Sequence, residues 1–456
     1  MEAQQIMKTV IKSFGILVVS AAICLGGSAK RQAAVWDSLK DPETAQQLKA
    51  FVAEKQGQAS VLAEADEKEY ANDNFKFKRT DCQTFFTAVN EGNWQVVSNL
   101  FSEMQNRLWS RTNTVERRGR WWQPVMESFG AVEAFAWGDE KYSKAFGDQI
   151  IQSIPPGSIY FGGTDPGRFI VTALQKSHVN GDPFFTLTQN ALADGTYLQY
   201  LRSIYGGKIY IPPAEDSQRC FNDYLQGAQQ RMQKHQLKPG EDVKVEEARV
   251  QVSGMVAVME INGCMAKTIF DNNPDREFYI EESFPFDWMY PYLEPHGLIL
   301  KINRRPLAQL SAEIIRTDRE YWAKQVKSMV GDWLHEETSV AEIAAFGKNV
   351  FLKHDYAGFT GDRVFVENGY THKMFSKFRT SIAGVYVWRA ENTKDPEERQ
   401  RMTRAADLAF RQALALCPYL PEAVKQYVDF LKTQKRDADA EAVSEMAGQF
   451  PKPKEK

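Results

Sequence analysis

The 456-residue chain is poor in the residues that carry most recognisable chemistry: it has five cysteines and six histidines. It also lacks an excess of either charge, with 56 Lys and Arg against 59 Asp and Glu and a formal net charge of −3. Each shortage excludes something. Lys and Arg are spread along the chain, so no basic face is available to neutralise a phosphate backbone, and nucleic acid is not expected as a partner. His178, His235, His296, His335, His354 and His372 never fall at ligand spacing, which argues against a zinc site. GxGxxG is absent, and no lysine follows the GGTDPGR glycines at the P-loop position, so a nucleotide site is not expected. There is no GxSxG elbow and no cysteine in a nucleophile signature. We therefore expect no catalytic residue, no metal and no cofactor.

A long apolar run occurs once, at residues 14–25. Lys8 and Lys12 precede it and Gly27-Ser28-Ala29 follows, the pattern of a cleavable signal peptide over residues 1–29. The run is short for a permanent anchor, which wants roughly 20 apolar residues. Cys24 suggests lipid attachment, but Ile23 stands where that signal needs a small residue. The remaining chain is expected to be periplasmic or extracellular, with no membrane span after cleavage. It keeps Cys82, Cys220, Cys264 and Cys417, far apart and without a CxxC pair. Three pairings are open and spacing chooses none. Buried free thiols are the plainer expectation, since a chain this long needs no staples.

What remains is ordinary globular composition, 43% hydrophobic and 25% charged, in a chain long enough for more than one domain. Residues 56–78 are polar and read as a solvated connection. Cys82, Phe85, Phe86 and Val89 then share a helical face, Glu91-Gly92-Asn93 breaks it, and Trp94, Val97, Leu100, Phe101, Met104 and Leu108 rebuild it. That is a helical hairpin. Arg117 to Trp122 is basic and aromatic, and Phe129, Phe135 and Trp137 continue a helical pattern. After Pro155-Pro156-Gly157, short β-type runs at 158–161, 184–188 and 208–211 alternate with helical stretches, and further runs follow at 278–280 and 298–302. The fold class expected is α/β: a small parallel or mixed sheet flanked by N-terminal helical hairpins and a C-terminal helical region. In that region Ala406, Phe410, Ala413 and Pro418 match the second helix of a tetratricopeptide repeat. Helix 372–388 would be its partner, with the charged residues 391–404 stretching the turn. The expected division is 1–29 signal, 30–150 helical, 151–310 α/β and 311–456 helical.

Ligands of α/β sheets bind beyond the carboxyl ends of the strands. Asp165 and Arg168 follow the first strand, Asn190 and Asp194 the second, and Glu281, Glu282, Asp287 and Trp288 the run through Ile280. If those strands are neighbours, the carboxylates, Arg168 and the nearby Trp288, Tyr290 and Tyr292 would suit sugar hydroxyls or an oxygen-liganded cation. The plainer reading makes Asp165 and Asp194 helix caps, pairs Arg168 with a neighbouring acid and buries Trp288 in the core.

The runs Ile154 to Arg168 (IPPGSIYFGGTDPGR), Thr188 to Asp194 (TQNALAD) and Glu281 to Tyr290 (EESFPFDWMY) together resemble one kind of bacterial domain. It is the extracytoplasmic C-terminal part of large glycosyltransferase-like membrane proteins, related to protein O-mannosyltransferases and often trailed by tetratricopeptide repeats. The resemblance covers residues 131–449. The many membrane helices of that family are missing, and the family's lipid-linked donor and catalytic carboxylates belong largely to them. What the resemblance implies is thus an α/β domain that binds or positions something at the cell surface. Two functions follow as expectations: a non-enzymatic envelope scaffold binding a protein or peptide partner through its helical repeats, or a carbohydrate-binding, glycosyltransferase-accessory domain using the acidic strand ends.

Overall fold

The computed structural model describes residues 35–70, 79–109, 119–163, 166–175, 183–246, 249–281 and 284–451. The expected signal peptide lies outside the described residues, as do Arg117 and Arg118 of the basic stretch.

The chain opens with α1 (Val35–Ser38) and α2 (Pro42–Glu69). Asp41 starts α2 by accepting the Glu43 amide at 3.2 Å, and Pro42 fills a first-turn position whose N–H would have no partner anyway. Leu48, Val52, Ala59, Leu62 and Ala63 repeat at helical spacing and are buried. The polar stretch beginning at Gln56, expected to be a solvated connection, is therefore helix as far as Glu69. Small and apolar residues every third or fourth position carry it. Next come α3 (Arg79–Glu91), α4 (Trp94–Trp109), α5 (Trp122–Trp137) and α6 (Glu140–Ser153). The expected break at Glu91-Gly92-Asn93 separates α3 from α4. Phe101 of α4 stacks on Phe129 of α5, ring centroids 3.8 Å apart. Buried along almost its whole length, α5 is the helix around which this part packs.

The main sheet has five strands: β1 (Ser158–Gly162), β2 (Phe184–Thr188), β5 (Phe278–Ile280), β6 (Leu293–His296) and β7 (Ile299–Ile302), in the order β2-β1-β5-β7-β6. The β2, β1 and β5 strands are parallel; β7 runs antiparallel to both β5 and β6. Every residue of β1, β2 and β5 is buried, as continuous apolar runs covered on both faces should be. Helices α7 (Pro166–Leu174) and α8 (Gly195–Tyr205) follow β1 and β2. The outer edge of β2 does not meet water. Tyr205 of α8 both accepts from the Thr186 amide (3.0 Å) and donates to its carbonyl (2.6 Å), and the Tyr197 hydroxyl accepts from the Thr188 amide (2.7 Å). Two tyrosine hydroxyls thus stand in for a sixth strand.

No strand forms at 208–211. Ile209 and Ile211 are buried as the pattern requires, but the Tyr210 backbone is held in both directions by the Asn273 side chain (2.8 and 3.2 Å). Between α8 and β5 lie the two helices that the apolar pattern at 221–232 and 255–270 indicates, α9 (Ala214–Gln233) and α10 (Gly254–Asn272), and between them a hairpin that it did not reveal, β3 (Asp242–Glu246) and β4 (Arg249–Ser253). This insert has its own small core of Phe221, Tyr224, Ala228, Val252 and Ala257. A disulfide joins Cys220 of α9 to Cys264 of α10, while Cys82 and Cys417 stay free and buried. The expectation of four free thiols fails for the pair that adjacent helices bring together.

The remainder is helical: α11 (Ala312–Val330), α12 (Val340–Phe346), α13 (Arg363–Glu367), α14 (Gly369–Asn392), α15 (Pro396–Leu416), α16 (Pro421–Thr433) and α17 (Asp437–Gly448). Residues 396–404, expected to lengthen a turn, instead form the first half of α15, since Asp395 caps the Glu397 amide at 2.9 Å and Pro396 begins the helix. Phe410 stacks on Tyr427 of α16 at 5.2 Å. Helix α14 is buried on nearly every side. Arg379 binds both carboxylate oxygens of Asp318 on α11 (2.9 and 2.8 Å), Phe378 stacks on Phe146 of α6, and Arg389 donates to the carbonyls of Pro291, Leu293 and Leu307. The chain's own sheet and α6 thereby cover the face that this helix would otherwise offer to a partner. One hydrophobic core runs from Val35 to Phe450.

Candidate functional site

The strands named by the sequence are neighbours, so their carboxyl ends lie side by side beneath the starts of α7 and α8. The N-terminal helices pack on one side of these ends and α14 on the other.

Glu281 emerges from β5 fully buried. Its amide donates to the Phe161 carbonyl (2.9 Å), and its Oε2 accepts from the Gly163 amide (3.1 Å). A Cβ on Gly167 would sit 2.2 Å from this carboxylate, so a larger residue would force the acid or the helix start to shift. The glycines of GGTDPGR thus admit the protein's own carboxylate to the beginning of α7, where an anion is favoured by the free N–H groups and the helix dipole. Lys377 of α14 brings its ammonium to 3.3 Å from Glu281 Oε1. Burial pulls the Lys377 pKa down to about 8.

Arg168 turns the other way. Its Cβ packs against Gly162, and its guanidinium enters the space between α5, α7 and α8, 1% exposed. There Nη2 binds Glu127 Oε1. Glu127 Oε2 also takes the Lys55 ammonium at 2.7 Å and the Tyr200 hydroxyl at 2.8 Å. The guanidinium lies over the rings of Phe169 (5.0 Å) and Tyr197 (5.9 Å), a placement that suits its weak hydration. Nε and Nη1 of Arg168 are buried and have no hydrogen-bond partner, and neither do the Thr188 hydroxyl and both amide atoms of Gln189. Thr188 pairs in register with Gly162 and reaches Tyr197 through its amide, so these groups belong to one neighbourhood at the ends of β1 and β2.

The other named residues have different employment. Asp194 caps α8 by accepting the Thr196 amide (2.9 Å). The Asn262 side chain donates to the Asn190 carbonyl (3.0 Å) and accepts from the Ala193 amide (2.6 Å), which ties this turn to α10. Asp287 is exposed. Trp288 packs by Phe270 (5.3 Å) and donates its indole N–H to the Gly263 carbonyl (3.0 Å), while Tyr290 stacks on Trp388 of α14 (5.7 Å). These aromatics therefore join elements of the fold. Asp165 and Glu282 lie outside the described residues. Among the described residues no group of three His, Cys, Asp or Glu side chains is arranged to hold a metal ion, and no helix is long and apolar enough to cross a membrane.

Lys55, Glu127 and Lys377 were missed in the sequence, although each carries a signal. Lys55 falls on the buried stripe with Leu48, Val52 and Ala59. Glu127 stands inside the apolar run PVMESFGAVEAF, and Lys377 follows Met374 and Phe375 in a buried helix. A charge on an apolar face announces a buried partner, but not which one. Set against protein families, curated proteins and solved structures, the chain finds no match in any of the three.

Proposed function

We propose that this chain is an exported, non-enzymatic binding protein whose recognition site is the crevice at the carboxyl ends of β2, β1 and β5. The C-terminal helices, read as tetratricopeptide-like, then serve mainly to hold that crevice. The observation that carries this reading is the set of buried, unpartnered polar groups of Arg168, Thr188 and Gln189 at the ends of adjacent parallel strands, where α/β sheets receive ligands. A buried donor left unused costs about 1–3 kcal/mol, which a ligand bound here would recover. Export fits the Cys220–Cys264 disulfide, since such bonds persist in oxidising compartments. The burial of α14 speaks against a wide peptide-binding groove on the first helical hairpin.

The second reading, a carbohydrate-binding accessory of a membrane glycosyltransferase, uses the same crevice and draws on the resemblance of the GGTDPGR and TQNALAD runs. One experiment addresses both readings. The purified protein is incubated with a panel of neutral oligosaccharides, sugar phosphates and envelope peptides, and amide hydrogen exchange is followed. A ligand of the crevice slows exchange in the peptides covering 158–163, 166–175 and 184–198. Protection confined to α15–α17 would place recognition on the helical surface and refute the reading.

A further inference from the structure

Carboxylates dominated the expected site, but the described carboxylate at its centre, Glu281, is already engaged by the Gly163 amide and by Lys377. Among the groups there without a hydrogen-bond partner are Arg168 Nε and Nη1, the Thr188 hydroxyl and both side-chain amide atoms of Gln189. Arg168 and Gln189 cannot shed this demand by reaching solvent, being 1% and 0% exposed. Arginine keeps its charge under all ordinary conditions, and its fixed, planar donors match carboxylate and phosphate oxygens.

We propose that the crevice binds a small oxyanion, a phosphate or carboxylate group of its ligand, through Arg168 with Thr188 and Gln189 beside it. This rests on the crevice being the recognition site and gives that site its chemistry. Several features prepare Arg168 for the role. Glu127 fixes one end of the guanidinium, and the rings of Phe169 and Tyr197 hold its plane. The free N–H groups are consequently ordered before a ligand arrives, which lowers the entropy lost on binding. Tyr197 also fixes Thr188 through its amide, so the hydroxyl and the guanidinium are positioned by a common residue. Sharing Glu127 with Lys55 keeps that acid from being an exclusive counter-ion for Arg168.

The test titrates the purified protein with sodium phosphate and with sodium acetate, using sodium chloride as the ionic-strength control, and reads calorimetric heat and Tm. Saturable binding of phosphate or acetate is expected, and the tighter of the two identifies the source. Thr188→Val leaves the Arg168–Glu127 pair intact and should weaken that binding roughly 10–100-fold, the worth of one hydrogen bond to a charged group. Arg168→Lys keeps the charge near Glu127 but loses the planar donors, and should weaken it roughly 10–100-fold. If Arg168→Lys fails to fold, Thr188→Val and Gln189→Leu carry the test. Equal, unsaturable responses to all three salts would overturn the proposal, and so would binding that none of the folded variants alters. Neutral ligands that protect 158–163 and 184–198 from exchange, in a protein that ignores both anions, would overturn the oxyanion but leave the crevice as the site. Protection on the helical surface alone would overturn both.

Discussion

Lys377, in the middle of α14, holds its ammonium 3.3 Å from the Glu281 carboxylate at the end of β5, and so fastens the C-terminal helices to the carboxyl end of the sheet's parallel strands. Its counterpart on the other flank is the buried Arg168–Glu127 pair, which fastens α7 to α5. Two ion pairs therefore brace the strand ends from both sides.

Lys377→Met should be costly because it takes a cation from a buried carboxylate. A loss of about 3 kcal/mol is expected from breaking one partner of such a pair, measured by urea unfolding at neutral pH. Adding Glu281→Gln should recover about half of it, since two matched neutral groups are easier to bury than one lone charge. A double variant less stable than the single one would show that the pair is not coupled as described.

Gly167→Ala tests the close approach at α7 itself. The new methyl would lie 2.2 Å from the Glu281 carboxylate, so either the helix start or the acid must move. Overpacking of this kind costs about 1–3 kcal/mol. The cost should shrink in a Glu281→Ala background, which opens the space. Equal costs in both backgrounds would contradict the contact.

These contacts also explain what could be read in advance. The helical hairpin at Glu91-Gly92-Asn93, the strands 158–162 and 184–188, and the helices from Ser311 onward were legible because their apolar periods repeat over whole elements. The neighbouring order of β2, β1 and β5 followed only conditionally, since pairing is decided by non-local contacts. The insert hairpin β3–β4 was missed although DVKVE and RVQVS alternate valine with polar residues: each run offers only two apolar residues, and their apolar side packs on α9 and α10 rather than on the main sheet. Within the site, Arg168 and Asp194 took the plainer roles offered for them, an ion pair and a helix cap. The partner of Arg168, Glu127, lies 41 residues upstream, a distance at which sequence pattern carries no pairing information.

Glu133 on α5 should make stability depend on pH. Burial raises its carboxyl pKa to about 7, well above the ordinary value of 4.5 for the unfolded chain. A raised acid pKa means that the folded state prefers the protonated form. The associated stability is present below pH 4.5 and is lost as pH rises toward 7. Glu133→Gln should flatten this slope and leave the protein about 1–3 kcal/mol more stable than wild type at pH 8. An unchanged slope between pH 4.5 and 7 would show that Glu133 is not responsible.

The cysteines should divide cleanly in alkylation followed by mass spectrometry. Without reductant, native protein should resist modification at Cys82 and Cys417, whose thiols are buried and raised to about 12. Cys220 and Cys264 should appear only after reduction. Replacing both by serine should cost about 2–4 kcal/mol, the range for a closed loop of this size. Recovery of a free Cys220 thiol from unreduced native protein would contradict the bond.

The central claim is that ligand enters at Arg168, and its most direct test is to locate a bound oxyanion. Crystals of the protein soaked in selenate, which mimics a small tetrahedral oxyanion and scatters anomalously, should show a selenium peak within hydrogen-bonding range of Arg168 Nε or Nη1 and the Thr188 hydroxyl. A peak on the outer faces of the helices, with water alone against Arg168, would contradict it.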